Sequence, residues 1–195
     1  DGKVLFQGQE VAFVIAEDRY INADAIELVE VEYEELPVIT DPFKALEPDA
    51  VVLREDLAGQ TSGAHGERKH HNHIFLWEAG DKEATEQVVE TADVVAEEMV
   101  YYHRTHPCPL ETCGCVASMD KVTGKLTLWG TFQAPHVVRT VASLLSGIEE
   151  HNIRVVSPDI GGGFGNKVGV YPGYVCSIVA SIVTGKPVKW IEDRM

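Results

Sequence analysis

The feature that most restricts this chain is Gly161-Gly162-Gly163-Phe164-Gly165-Asn166-Lys167, with four glycines in five residues. Glycine has no Cβ, so such a run admits positive φ and lets bare backbone come close to a ligand. Successive N–H groups can then converge on an anion or an oxo group. The run follows a strand signal, Ile153-Arg154-Val155-Val156, and a turn, Ser157-Pro158-Asp159. It precedes an apolar stretch from Tyr174 to Val183 that reads as a buried helix.

Two nucleotide motifs fail on this run. A P-loop counted from Gly161 needs Gly at Asn166 and a hydroxyl at Val168. The dinucleotide fingerprint fits Gly161 and Gly163 but again needs Gly at Asn166. Taken alone, the run is a tight turn between a strand and a helix.

The surrounding pattern is mixed α+β. A short strand is expected over 11–16, a helix over Asp18–Val29 with Asp18 near its N-cap, and a half-buried strand over 31–34 ended by Pro37. Turns and loop fill most of 41–80. An acidic helix is expected over 81–92 and a long alternating strand over 94–102. Val116–Asp120 and Lys125–Gly130 flank a turn and read as a hairpin, the second strand running on into Thr131-Phe132-Gln133. A helix begins at Pro135 and is closed by Gly147; strands follow at 153–156 and 188–191, with Gly185 stopping the helix between them. Gln133 and Gly161–Gly165 thus both fall at strand ends before helices, where ligands commonly bind.

Composition narrows the partners. The net charge is −15, and the first hundred residues hold 24 acids against 7 Lys and Arg, while the remainder holds 7 against 9. An acidic surface argues against nucleic acid. The change of sign beyond residue 100 is compatible with a phosphate-bearing ligand there, and solvated acidic helix faces explain the first half equally well. No apolar run reaches the length of a transmembrane helix. The spacing of Cys108, Cys113 and Cys115, with His103 and His106 nearby, matches no common zinc signature. No metal ligand is assigned there, nor to His70, His71 and His73, which read as a polar surface or a packed linker.

Several motifs in order add a second line of argument: Ser62-Gly63-Ala64-His65-Gly66, the run RKHHNHIF over 68–75, HPCPLETC over His106–Cys113, TFQAPH over Thr131–His136, and GGGFGNK. Together they resemble the molybdenum hydroxylases, the family of xanthine dehydrogenase and aldehyde oxidase. The resemblance covers essentially the whole chain and is nearest to the large subunits of its aerobic, molybdenum- and copper-containing carbon monoxide dehydrogenase branch.

That resemblance implies the end of a hammerhead-like α/β domain over 1–50, a crossing linker over 51–80, and the first part of a molybdopterin-binding domain over 81–195. It implies molybdenum on a molybdopterin cytosine dinucleotide, with Gln133 as the catalytic contact to the metal's oxygens and Gln133, Gly162, Gly163, Phe164 and Gly165 binding the cofactor. Glu111 is read as structural. Lys167 either offsets pyrophosphate charge or is a surface residue at a helix start. The parent would oxidise CO with water to CO2 and pass electrons to an iron–sulfur small subunit and an FAD-binding medium subunit, as a dimer of heterotrimers. It would be cytoplasmic, a location that admits association with the inner face of the membrane. Copper would sit on a Cys in an AYRCSFR-type loop and the base would be a distal Glu; this chain contains neither, so no copper role passes to its own cysteines. The fragment alone is expected to be inactive. Two other readings stay open: a sibling hydroxylase acting on an aldehyde, purine or nicotinate, and a non-catalytic structural or interaction module.

Overall fold

The computed structural model describes residues 2–57, 62–63, 66–67, 70–74 and 77–194. Ala64, His65, Arg68, Lys69 and Phe75 of these motifs lie outside the described residues. Two short helices start at aspartate caps. The Asp18 carboxylate accepts from the N–H groups of Tyr20 and Ile21 at 2.8 and 2.9 Å and opens α1 (Arg19–Glu27). Asp81 accepts from Ala84 N–H at 3.0 Å and opens α2 (Lys82–Glu90). Such caps satisfy donors that the first helical turn leaves bare.

The chain folds as two compact units. One comprises Asp1–Gln9 and Glu30–Tyr102, the other Glu10–Val29 and His103–Met195. The first unit contains α2, two-residue strands β1 (Ser62–Gly63) and β2 (Gly66–Glu67), and short 3-10 turns. Asn72 fastens its irregular backbone: its amide donates to the carbonyls of Ala45 and Val51 and accepts from Leu53 N–H, all within 2.9 Å. His70 Nε2 lies 2.9 Å from the Glu47 carbonyl.

The second unit carries a four-stranded sheet in the order β5-β4-β3-β6: β3 (Gly114–Asp120), β4 (Lys125–Gly130), β5 (Ile153–Val156) and β6 (Val188–Ile191). Strand β3 runs antiparallel to β4 and β6, whereas β4 and β5 are parallel. Strands β4, β5 and β6 therefore point the same way. Helices α3 (Pro135–Ser146) and α4 (Pro172–Thr184) touch each other, α3 packing on β5 and α4 on β3 and β6.

Alternation along the strands builds the core. Cys115 and Ala117 of β3 and Leu126 and Leu128 of β4 turn inward, meeting Ile153, Val138, Ala142, Tyr174 and Ile178. Helix α4 presents Gly173, Ser177 and Ser181 to this core, while Val179 and Val183 are exposed. Small residues let it sit close: a Cβ on Gly173 would stand 2.3 Å from the Trp190 ring. Gly147 and Gly185 end their helices in the left-handed conformation, as helix C-caps require.

The mixed α/β character, the hairpin, both sheet-packed helices and the strands at 153–156 and 188–191 agree with the sequence. Three expected strands do not form. Residues 11–16, 31–34 and 94–102 lie outside regular structure. Alternation marks a strand only where a neighbour accepts its ladder hydrogen bonds, and no described strand pairs with these segments. Residues 94–102 are accordingly exposed, Met99 at 87% and Tyr102 at 88%. Strand β4 also stops at Gly130, three residues before Gln133. The last helix begins at Pro172 rather than Tyr174, its Pro occupying the first turn.

Candidate functional site

The strand directions gather the site. Because β4, β5 and β6 share a direction, the segments following them leave the sheet at one end, and the segment leading into β3 arrives there. Residues 109–113, 131–134, 157–167 and 192–194 meet at that end. Ligands of open α/β sheets bind beyond the carboxyl ends of parallel strands.

Short bonds lock these segments together. Thr131 N–H donates to the Gly114 carbonyl and Gly114 N–H to Thr131 Oγ1, both at 3.1 Å. Ser157 Oγ donates to the Phe132 carbonyl at 2.7 Å. Gln133 N–H donates to the Lys167 carbonyl at 3.0 Å, and Gly165 N–H donates to Gln133 Oε1 at 3.1 Å. The Gln133 amide oxygen is thus occupied, and its Nε2 donates to no group among the described residues. Arg194 donates to the carbonyls of Pro109 and Leu110, and Cys113 N–H donates to Glu192 at 3.3 Å.

Each glycine of the loop has its own reason. Gly162 and Gly165 hold φ of 92° and 87°, which other residues rarely adopt. Gly161 and Gly163 are needed for closeness: a Cβ at either would stand 2.6 Å from Glu111 or Gln133, respectively. Phe164 itself sits at φ 52°, in the left-handed region, and its side chain is 75% exposed. Strain of this kind persists only where surrounding contacts impose it, and it gathers at ligand sites. The N–H groups of Gly162, Gly163 and Phe164 make no hydrogen bond among the described residues. Gln133, Gly162, Gly163, Phe164 and Gly165 therefore lie together at one edge.

Lys167 corrects one sequence reading. It is not a surface residue at a helix start but is wholly buried, at 0% exposure, with its ammonium 2.8 Å from Glu111 Oε2. The same oxygen accepts from Gly161 N–H at 2.7 Å. The Lys167 ammonium and then the Gly161 amide hold the Glu111 carboxyl below the usual carboxylate range. Glu111 is a clamp, as expected of a structural residue. Tyr171, which opens α4, donates its hydroxyl to the Asn166 carbonyl. Neither Tyr171 nor the partner of Lys167 is readable from the sequence, because no local spacing signals a contact between residues 56 apart.

Cys113 and Cys115 are buried in the core, and burial raises both thiols, Cys115 to about 11. A thiol held protonated is a poor metal ligand. Among the described residues no cluster of His, Cys, Asp or Glu is arranged to hold a metal. None of the described helices is long and apolar enough to cross a membrane.

Comparison with known sequences decides the family. Residues 65–195 match the profile of the molybdopterin cofactor-binding domain. The chain belongs to that family. Residues 1–37 match the a/b hammerhead domain of aldehyde oxidase and xanthine dehydrogenase. The chain is 71% identical over 195 residues to the carbon monoxide dehydrogenase large chain of Afipia carboxidovorans, and 70% identical to that of Hydrogenophaga pseudoflava. All of this chain and 24% of each relative are aligned, so it spans about a quarter of their length. The solved structure of reconstituted CO dehydrogenase from Oligotropha carboxidovorans superposes with a TM-score of 0.89 at 71% identity, covering 98% of this chain and 24% of the other.

The residues at the sheet end fit a molybdopterin. An oxygen-rich group needs donors that neither ligate nor protonate it, and the Gln133 amide with the free loop N–H groups supplies them. Above Gly165 the space is open: a Cβ there would meet nothing within 4 Å.

Proposed function

We propose that this chain is the cofactor-contacting part of a carbon monoxide dehydrogenase large subunit, which oxidises CO with water to CO2. Its cofactor is molybdopterin cytosine dinucleotide. Copper is bound by residues elsewhere in the subunit, and electrons leave through an iron–sulfur subunit and an FAD-binding subunit. Residues 1–50 belong to the hammerhead-like domain, 51–80 cross between domains, and 81–195 begin the cofactor-binding domain.

The observation that carries this reading is the Gln133 amide, fixed over the glycine loop by Gly165 N–H at 3.1 Å. When bound, the molybdenum cofactor supplies the two-electron redox centre. Gln133 Nε2 would serve as a neutral donor to the oxygens of the bound cofactor. Because its Oε1 is already bonded, the donor is oriented in advance, and no reorganisation accompanies its use. The N–H groups of Gly162, Gly163 and Phe164 would hold the cofactor's oxygens in the same way. The exposed Phe164 ring at the loop surface would form an apolar wall for the bound cofactor. Glu111, engaged by Lys167 and Gly161, is not free to take a proton. We place the reaction's base elsewhere in the subunit. The identity of 71% along the entire chain favours CO over the substrates of sibling hydroxylases.

The test uses the full-length subunit assembled with its partners. We expect stoichiometric molybdenum, release of cytidine monophosphate on acid hydrolysis, and dye reduction that depends on CO. Turnover of an aldehyde, nicotinate or purine with none of CO would assign the protein to a sibling activity.

A further inference from the structure

We propose that Lys167 is a positioning residue that presets the glycine loop for its ligand, acting through Glu111 on one side and the backbone of Gln133 on the other. The proposal rests on reading the loop as a cofactor cradle.

Lys167 is the one buried cation among the described residues. Its ammonium and the Gly161 N–H converge on a single oxygen, Glu111 Oε2, at 2.8 and 2.7 Å. Gly161 is the first residue of the loop and Lys167 the last. One carboxylate thus clasps both ends, and the loop between them is closed. The Lys167 carbonyl meanwhile accepts from Gln133 N–H at 3.0 Å. Lys167 consequently sets the separation between the loop and the residue whose amide rests upon it. Tyr171 adds a second fastening one residue earlier, at Asn166.

A structural ion pair alone does not account for this arrangement. Removing the Lys167 ammonium from water is expensive, and its partner carboxylate is 41% exposed, so the attraction between them is screened on that side. An apolar pair would fill the volume, but it could not aim the Gly161 N–H or hold the loop ends at one point. The charge supplies direction. The Cys113 thiol, which burial keeps neutral, interacts with Lys167, and Tyr174 and Glu192 act in turn on that thiol. None of them replaces Glu111 as the bonded partner of Lys167.

The experiment uses the full-length subunit in its assembled complex and two variants. The E111Q/K167M double variant removes both charges together and strands neither. E111D keeps both charges but shortens the clasp by one methylene. Readouts are thermal melting, molybdenum per subunit by elemental analysis, and the electron paramagnetic resonance spectrum of reduced molybdenum in the loaded fraction. We expect the double variant to melt close to wild type yet retain roughly tenfold less molybdenum, or even less, the scale on which contacts behind a metal's ligands act. We expect E111D to shift the spectrum. Wild-type content and spectrum in both variants overturn the proposal, as does a wild-type spectrum of E111D where the double variant fails to assemble. A wild-type complex that contains no molybdenum overturns the cradle reading instead.

Discussion

A Cβ on Gly163 would lie 2.6 Å from both Cδ and Oε1 of Gln133, so the residue at 163 decides where that amide can sit. Its backbone φ is not positive. The glycine is required by contact, not by conformation. Gly163→Ala should leave the fold intact while displacing the Gln133 amide. We expect roughly a ten- to hundredfold loss of CO turnover in the full-length enzyme, with circular dichroism unchanged, on the scale of misplacing one catalytic group. Wild-type turnover in this variant would show that Gln133 has room to move without effect.

Gln133 itself gives the more direct measurement. Gln133→Ala removes one oriented donor and leaves the loop's glycines in place. Turnover should fall by about ten- to a thousandfold, the range for losing a positioned donor. Molybdenum content should stay near wild type, because the loop N–H groups remain. Unchanged turnover at full loading would remove Gln133 from the reaction.

Acid should loosen the clasp. The folded-state pKa of Glu111 lies below its ordinary value of 4.5, through Lys167 first and Gly161 second. The group therefore stabilises the fold above its unfolded pKa, and that stabilisation disappears as pH falls through the folded pKa. Glu111→Gln has no carboxylate to lose. The gap in urea midpoint between wild type and Glu111→Gln should be widest near neutrality and shrink below about pH 4.5. A gap independent of pH would mean that the carboxylate charge plays no part.

The sheet core has a sharper test. Leu128 of β4 is fully buried between its neighbours Ala117 on β3 and Val155 on β5. Leu128→Ala should destabilise the second unit by about 2–5 kcal/mol, the usual range for such truncations. Denaturant unfolding followed by tryptophan fluorescence checks it, since Trp129 and Trp190 lie in this sheet. A loss well under 1 kcal/mol would place Leu128 outside the cooperative core.

What was legible in the chain was whatever a few adjacent residues determine. Asp18 and Asp81 cap helices, Pro135 and Gly147 bound one, and the turn after Asp120 folds a hairpin, all through local chemistry. The strands expected at 11–16, 31–34 and 94–102 failed because a strand is a relation between two segments, and alternation describes only one of them. Gln133 and the glycine loop were paired by resemblance; the physical reason for their pairing, the Gly165 bond and the Lys167 carbonyl, appears only in three dimensions. Lys167 was the least legible. Beside four glycines its charge pointed toward phosphate or solvent, while its actual partner stands 56 residues away.

The common direction of β4, β5 and β6 also leaves the opposite rim of the sheet free of site residues. There the hairpin turn at Lys121–Gly124 projects into solvent, Val122 being 96% exposed, and Lys121 reaches only to the Val183 carbonyl at the end of α4. That rim is a natural attachment point. A fluorophore, affinity tag or surface tether inserted at Val122 would report on or immobilise the protein while the whole length of the sheet separates it from Gln133.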